Sequence, residues 1–131
     1  MKLQVKFLFL FSFLLLLSAT MCVEDDPYTC DDYLEEMESI KLEIDALIAT
    51  SSCTEATECR AIAFGSKPCG GPWSYLVYST SIDTEYLESL VTNYNNIEEA
   101  FNNNCEAISD CSFVIPPNEL SCEDGNCTIV N

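Results

Sequence analysis

CRAIAFGSKPCGGPWSYLVYS, residues Cys59 to Ser79, is the stretch that decides the fold. It holds two of the three cationic side chains that follow residue 21, the single Trp, three of the four glycines and two cysteines. Apolar and aromatic residues from Ala61 to Phe64 and from Trp73 to Ser79 predict two strands. The second strand is apolar on both faces, which predicts a central strand covered on both sides. Between them we expect a rigid, cysteine-pinned loop.

Apolar residues spaced three and four apart predict a helix on either side of this stretch. The first runs from Cys30 to Ala49, with Thr29 as its N-cap and acidic residues in its first turns. The second begins at a cap of Asp83 or Thr84 and ends near Asn104, because three consecutive asparagines form a poor helix interior. Residues 50 to 58 interrupt the periodicity and predict a connecting loop.

The chain after residue 105 predicts extended structure. Residues Ser109 to Ile115 are interpreted as a strand that the prolines Pro116 and Pro117 terminate. Asp124-Gly125 is the strongest two-residue hairpin signal in the sequence, and it predicts paired strands within residues 120 to 130.

Eight of the nine cysteines fall within these elements and predict four disulfides. If the two helices pack antiparallel, Cys30 lies beside Cys105, and a bridge needs Cα atoms within about 7 Å. The hairpin register places Cys122 opposite Cys127, so we predict a second bridge there. Four cysteines then allow three pairings that sequence alone does not rank: Cys53, Cys59, Cys69 and Cys111.

These elements predict one α+β domain over residues 29–131, because about 110 residues support one compact core. Its architecture would be two antiparallel helices packed on a small antiparallel sheet, stapled by disulfides. We expect it to be a monomer.

The first 21 residues predict a secretory signal peptide. Lys2 and Lys6 precede an apolar run from Phe7 to Leu17 that ends in small polar residues. This run is shorter than the roughly 20 apolar residues that span a bilayer. Export would deliver the cysteines to an oxidising compartment. Cys22, the ninth cysteine, would either carry a lipid or leave with the peptide, and residues 22–28 would form an acidic tether.

The charge of the chain excludes one class of partner. After residue 21, three cations, Lys41, Arg60 and Lys67, oppose all 22 acidic residues, a net charge of −19. Such a surface repels phosphate backbones and anionic lipid head groups, so we expect no nucleic-acid partner. Contact with a membrane is expected only through a lipid on Cys22.

Composition also argues against catalysis and cofactors. The chain has no histidine, which removes the usual neutral-pH base, the commonest transition-metal ligand and every Ser-His or Cys-His pair. Residues Glu123 to Asn126 lack the alternating oxygen ligands of a calcium loop. We therefore predict no metal, no cofactor and no enzymatic activity, with a carboxylate-based enzyme as the remaining alternative.

A binding site is predicted where charge and rigidity coincide. The structural interpretation of the loop is a stapled turn with the tryptophan in the core. The functional interpretation is that a rigid loop presents Lys67 as a cationic knob on an acidic surface, where little ordering entropy is lost on binding. The predicted binding residues are Arg60, Lys67, Gly70, Gly71, Pro72 and Trp73.

Two resemblances carry the functional prediction. Ala19-Thr20-Met21-Cys22 is similar to a lipobox, and the acidic residues after it are similar to the surface-export signal of lipoproteins in Bacteroidetes. The motif between Cys59 and Ser79, with Ser109-Asp110-Cys111, Pro116-Pro117 and the Cys122 to Cys127 hairpin, resembles small secreted proteins or lipoproteins of bacteria. These resemblances imply a shared fold and an exported location, at the outer membrane or cell surface or secreted.

The sequence therefore predicts an exported, surface-anchored lipoprotein that binds an unidentified protein or small ligand outside the cell. An alternative is a secreted serine protease inhibitor whose rigid loop presents Lys67 to a trypsin-like pocket.

Overall fold

A computed structural model describes residues 28–130, which form two helices, one 3₁₀ turn and four strands. The predictions for the signal peptide, for Cys22 and for nearly all of the tether lie outside these residues. Along the chain the elements are α1 (Cys30–Ile48), the 3₁₀ turn (Ala56–Glu58), β1 (Cys59–Phe64), β2 (Ser74–Ser79), α2 (Thr84–Asn104), β3 (Leu120–Glu123) and β4 (Asn126–Ile129).

Both helices begin at the predicted caps. Thr29 and Asp32 form a reciprocal capping box, in which the Asp32 carboxylate accepts from the Thr29 backbone N–H at 2.6 Å. The side chain of Asp83 accepts from the backbone N–H of Tyr86 at 3.0 Å. These contacts satisfy backbone donors that a helix leaves free in its first turn.

The helices pack antiparallel, as predicted. Cys30 at the start of α1 is bonded to Cys105 directly after α2, with their Cα atoms 5.9 Å apart. At the other end of the pair, the hydroxyl of Tyr86 donates to the carboxylate of Glu43. In the described part of the chain, neither helix is long and apolar enough to cross a membrane.

The core lies between the helices and the β1–β2 hairpin. Ile44 of α1 and Leu87 of α2 are completely buried, and the ring of Phe64 stacks on that of Tyr94 at 4.5 Å between centroids. The other buried members of this cluster are Ile40, Tyr78, Leu90 and Val91. Burying such side chains contributes about 1.5–3 kcal/mol each, so this interface carries the fold.

The strands β1 and β2 pair antiparallel from Cys59 opposite Ser79 to Phe64 opposite Ser74. The predicted central position of the second strand is wrong, because β1 is its one hydrogen-bonded neighbour within residues 28–130. Its apolar residues are covered in another way. Leu76 packs against the helical core, and the strand also lies alongside β4 without forming a ladder with it.

The C-terminal hairpin has the predicted register but not the predicted disulfide. Cys122 lies opposite Cys127, yet Cys122 is bonded to Cys53 and Cys127 to Cys59. A strand register sets only the distance between the two Cα atoms. The hairpin lies against the segment before β1, where the N–H of Cys53 donates to the Gly125 carbonyl at 2.9 Å. Cys122 therefore bonds to Cys53 of that segment, and Cys127 bonds to Cys59 at the start of β1.

The strand predicted for Ser109 to Ile115 is also wrong. Residues 107–117 contain no helix, strand or turn. The reason is the fourth disulfide, between Cys69 and Cys111, which holds this segment against the loop that joins β1 and β2. Cys111 has a φ of 55°, a left-handed conformation that interrupts extended pairing.

Candidate functional site

Two loops meet at the end of the β1–β2 hairpin that lies beyond Phe64. We call residues 65–73 the lower loop and residues 106–117 the upper loop. The Cys69–Cys111 disulfide joins them, with Cα atoms 5.4 Å apart. The two loops together are the candidate functional site.

Lys67 connects the two loops, and its predicted exposure is wrong. The residue is 5% exposed. Its ammonium donates to the carbonyl oxygen of Ser112 at 2.7 Å and to the Ser112 hydroxyl at 3.0 Å. It also lies 3.4 Å from an Asp110 carboxylate oxygen and 5.0 Å from the centroid of the Trp73 ring. The cation thus supports the upper loop from beneath, because its hydrogen-bond partners lie there and not in solvent.

The lower loop is a tight turn of the predicted kind. The N–H of Lys67 donates to the Gly71 carbonyl, and the N–H of Gly70 donates to the Lys67 carbonyl, both at 2.8 Å. Gly70 and Gly71 have φ values of 89° and 82°, which only glycine adopts without strain. The turn therefore aims the side chain of Lys67 back into the protein.

Polar side chains of α2 hold the lower loop in place. Asn95 accepts from the N–H of Gly65 at 2.7 Å, and Asn102 donates to the carbonyl of Ser66 at 2.7 Å. Glu98 accepts from the N–H of Ser66 at 2.5 Å. Because buried backbone groups require partners, these contacts fix the loop on a rigid helix.

Burial raises the pKa of Glu98, while hydrogen bonds from the Ser66 N–H and the Trp73 side chain act in the opposite direction. Because its pKa is raised, the Glu98 carboxyl binds its proton more tightly in the folded protein than in the unfolded chain. This contribution to stability is fully present below the pKa of the unfolded glutamate and is lost as the pH rises through the pKa of the folded protein. Replacing Glu98 by Gln keeps an acceptor for Ser66 and removes the half-buried charge.

We therefore expect Glu98→Gln to stabilise the protein relative to wild type more at a pH of about 7 than at about 4, since unfolded glutamate titrates near 4.3. Urea unfolding at both pH values measures the difference. Glu99→Gln, on the exposed neighbouring position, is the control and should change stability little at either pH. An equal effect of Glu98→Gln at the two pH values would contradict this assignment.

The middle of the upper loop is held by local hydrogen bonds as well as by the disulfide. One carboxylate oxygen of Asp110 accepts from the N–H of Ser112 at 3.1 Å and from its hydroxyl at 3.0 Å. These two bonds, the backbone one first, hold the pKa of Asp110 below its usual value, and Lys67 acts in the same direction. The segment 110–112 is therefore fixed, although it is exposed.

On both sides of this anchor the upper loop presents apolar side chains to solvent. Ile108 is 92% exposed, Phe113 81% and Ile115 72%. Trp73, which the structural interpretation placed in the core, is 42% exposed on the lower loop. Large apolar side chains that remain exposed on a constrained loop are typical of interaction sites.

The backbone beside these side chains is also free. Within residues 28–130, the N–H and C=O groups of Phe113, Val114 and Ile115 make no hydrogen bond to protein. Pro116 and Pro117 follow directly, and a proline biases the residue before it toward extended conformations. Residues 113–115 therefore offer a partner both side chains and unpaired backbone groups.

The structure does not bring all six predicted binding residues together. Arg60 lies near the start of β1, where it donates to the carbonyls of Thr57 and Cys59, both at 2.8 Å. Four strand residues separate it from the lower loop. The five steps from Arg60 to Gly65 span about 16 Å at about 3.3 Å per residue. The other five predicted residues lie on the lower loop, with Gly70 and Gly71 exposed, Pro72 half-buried and Lys67 buried.

The predicted binding residues do not include the exposed residues of the upper loop. Phe113 and Ile115 fall in the stretch predicted as a strand, and that pattern does not show which of its side chains remain in solvent. The signal that distinguishes a loop here is the combination of a cysteine at 111 with two prolines at 116 and 117, which constrain both ends of a short segment.

The cysteine sulfurs at the opposite end of the hairpin do not form a metal site. Those of Cys53, Cys59 and Cys127 lie within 4.8 Å of one another. All three are engaged in disulfides, whereas a metal ion needs deprotonated thiols.

Comparisons with protein-family models, with curated proteins and with solved structures each find no match to this chain. The resemblance to small bacterial secreted proteins or lipoproteins stays a prediction. The candidate site accordingly rests on the geometry of the two loops.

Proposed function

We propose that this protein is an exported binding module that recognises a protein partner through the upper loop. The observation that carries the proposal is the exposure of Ile108, Phe113 and Ile115, between 72% and 92%, on a loop that a disulfide and a buried lysine hold in place. Complete burial of one such side chain contributes about 1.5–3 kcal/mol of favourable free energy. A partner that covers them gains that energy on binding.

Rigidity of the loop supports the same proposal. Association costs about 0.5–1.5 kcal/mol for each rotamer-rich side chain that becomes ordered, besides the cost of ordering a loop. The Cys69–Cys111 bridge and the contacts of Lys67 with Ser112 order the anchor of this loop before any partner arrives. The loop is thus preorganised for recognition.

Export is part of the proposal. Four disulfides in a domain of this size suit an oxidising compartment outside the cytosol. A lipid on Cys22 would hold the domain at the cell surface, with residues 23–28 as the tether. Mass analysis of the mature N-terminus tests this part, and a terminus beyond residue 22 would show that the protein is released without an anchor.

A retention experiment tests the binding loop. Folded protein is immobilised through its N-terminus and exposed to the extracellular proteins of the producing organism, and the retained proteins are quantified by mass spectrometry. The double variant Phe113→Gln/Ile115→Gln is compared with Leu34→Gln/Leu42→Gln, which removes two apolar side chains that are 48% and 65% exposed on α1.

We expect wild type and the α1 variant to retain the same partner protein. The loop variant should retain at least about tenfold less of it, which corresponds to a loss of about 1.4 kcal/mol in binding free energy. Circular dichroism and disulfide mapping confirm that all three proteins are folded. Equal retention by wild type and the loop variant would exclude the upper loop as the binding surface.

A further inference from the structure

The upper loop has the features of a protease substrate that is held rigid. Phe113 is 81% exposed, and the backbone groups from Phe113 to Ile115 are unpaired in the described chain. A protease binds its substrate by pairing with extended backbone and by inserting one side chain into its primary specificity pocket. The segment around Phe113 offers unpaired backbone groups for such pairing and an exposed aromatic side chain for such a pocket.

We infer that the partner of the upper loop is a serine protease with an apolar primary specificity pocket, which this protein inhibits by placing Phe113 in that pocket. The inference rests on the proposed function of the loop and names its partner. A hydrophobic slot selects an aromatic side chain, whereas a trypsin-like pocket carries a carboxylate that selects a cation. Residues 106–119 contain no lysine or arginine, and the ammonium of Lys67 is engaged beneath the loop.

The anchors on both sides of Phe113 distinguish an inhibitor from a substrate. Before it, Cys111 is bonded to Cys69, and Ser112 is held by Lys67 and Asp110. After it, the chain enters β3, where Cys122 is bonded to Cys53. If the peptide bond between Phe113 and Val114 is cut, the disulfides keep both fragments in one molecule.

The chemistry of the trapped complex follows from these anchors. The hydroxyl oxygen of the protease serine adds to the carbonyl carbon of Phe113, the bond from that carbon to the nitrogen of Val114 breaks, and the serine proton passes through the protease base to the new amine. The Val114 amine stays in the same molecule through the Cys53–Cys122 bridge, so it can attack the ester, restore the peptide bond and return the proton to the serine. An intramolecular amine acts at a high effective concentration, so resynthesis competes with hydrolysis.

Backbone conformation at the anchor agrees with this role. Cys111 has a φ of 55°, an uncommon conformation for a residue with a side chain. Such conformations persist where the surroundings over-determine them, and they concentrate at ligand-binding segments. Here the disulfide and the contacts of Asp110 and Ser112 impose it.

Charge restricts the protease further. Glu106, Asp110 and Glu119 are exposed on or beside the upper loop, and the whole chain carries a net charge of −17. Like charges across an interface cost several kcal/mol. The surface around the protease pocket must therefore be neutral or basic.

Inhibition of chymotrypsin and trypsin, each assayed with a small chromogenic substrate, tests the inference. We expect the folded protein to inhibit chymotrypsin with one-to-one stoichiometry and to remain largely uncut. Phe113→Ala should weaken inhibition at least about 100-fold, since an anchor side chain carries much of the binding energy of an interface. Phe113→Lys should transfer inhibition to trypsin, and Leu42→Ala is the control that should leave inhibition unchanged.

Rapid cleavage after Phe113 without inhibition, or inhibition that Phe113→Ala leaves intact, would overturn the inference. The retention experiment tests the proposed binding function independently of protease inhibition. A retained non-protease partner that depends on Phe113 and Ile115, together with no inhibition of chymotrypsin, would reject the protease and keep the binding loop.

Discussion

Replacing Lys67 by Glu is expected to destabilise the protein by about 3 kcal/mol, because it removes a charged donor from the Ser112 oxygens and leaves a carboxylate without a partner at a buried position. The ammonium is the donor for the carbonyl and the hydroxyl of Ser112, and it lies beside the carboxylate of Asp110. A glutamate leaves the Ser112 oxygen without its donor and places a second negative charge beside Asp110. Denaturant unfolding with the disulfides intact measures the loss.

Lys41→Glu is the matched control, because it makes the same change of charge at a lysine whose side chain is 50% exposed on α1. Its ion pair with Asp45 is a surface pair, so this change should cost no more than about 1 kcal/mol. Equal losses for the two variants would contradict the buried role of Lys67. The sequence-based interpretation of Lys67 as an exposed knob predicts a different result, in which Lys67→Glu leaves the fold intact and abolishes binding.

Removing the disulfide between the helix ends should have an effect of similar size. Cys30 and Cys105 are 75 residues apart, and closing a loop of that length in the unfolded chain stabilises the fold by about 4 kcal/mol in the chain-entropy model. The double variant Cys30→Ser/Cys105→Ser is expected to lose about this much in urea unfolding, with the other three disulfides intact.

The loss should be accompanied by faster hydrogen exchange in the first turns of α1, where Tyr33 contacts Phe101 and Asn104 at the end of α2. Peptide-resolved hydrogen exchange detects this change. A loss below about 1 kcal/mol would show that contacts between the helix ends, and not the bridge, hold them together.

The helices were predictable because their signals are local. Apolar spacing and the caps at Thr29 and Asp83 depend on residues within one or two turns, and these signals gave the correct starts. The bridge between Cys30 and Cys105 followed from two helices of nearly equal length. The hairpin register at Asp124-Gly125 was predictable for the same local reason.

The remaining disulfides depend on contacts that no local pattern encodes. Cys122 and Cys127 are opposite each other in the predicted register, yet their partners are 69 and 68 residues away. The disulfide pairing depends on which segment of the chain packs against the hairpin. The sequence gives no sign of that packing apart from Cys53 and Cys59, whose partners it does not determine.

The binding site was predicted at Lys67 and not on the upper loop for a related reason. Lysine is almost never fully buried unless it is paired, so an isolated lysine on an acidic surface was assigned to solvent. Its partners at Asp110 and Ser112 lie 43 and 45 residues further along the chain. The same contacts fix the residues directly before Phe113, although the sequence predicts a strand there.

Lys67 is buried, and its contacts with Ser112 fix the upper loop on the protein surface. Competitive acylation of the folded protein with a limiting amine reagent, followed by peptide mass spectrometry, tests it with Lys41 as the internal reference. We expect Lys67 to react at least about tenfold more slowly than Lys41, because its reaction requires local opening of the loops. The two should react alike after reduction and unfolding. Equal reaction of the two lysines in the folded protein would contradict the account.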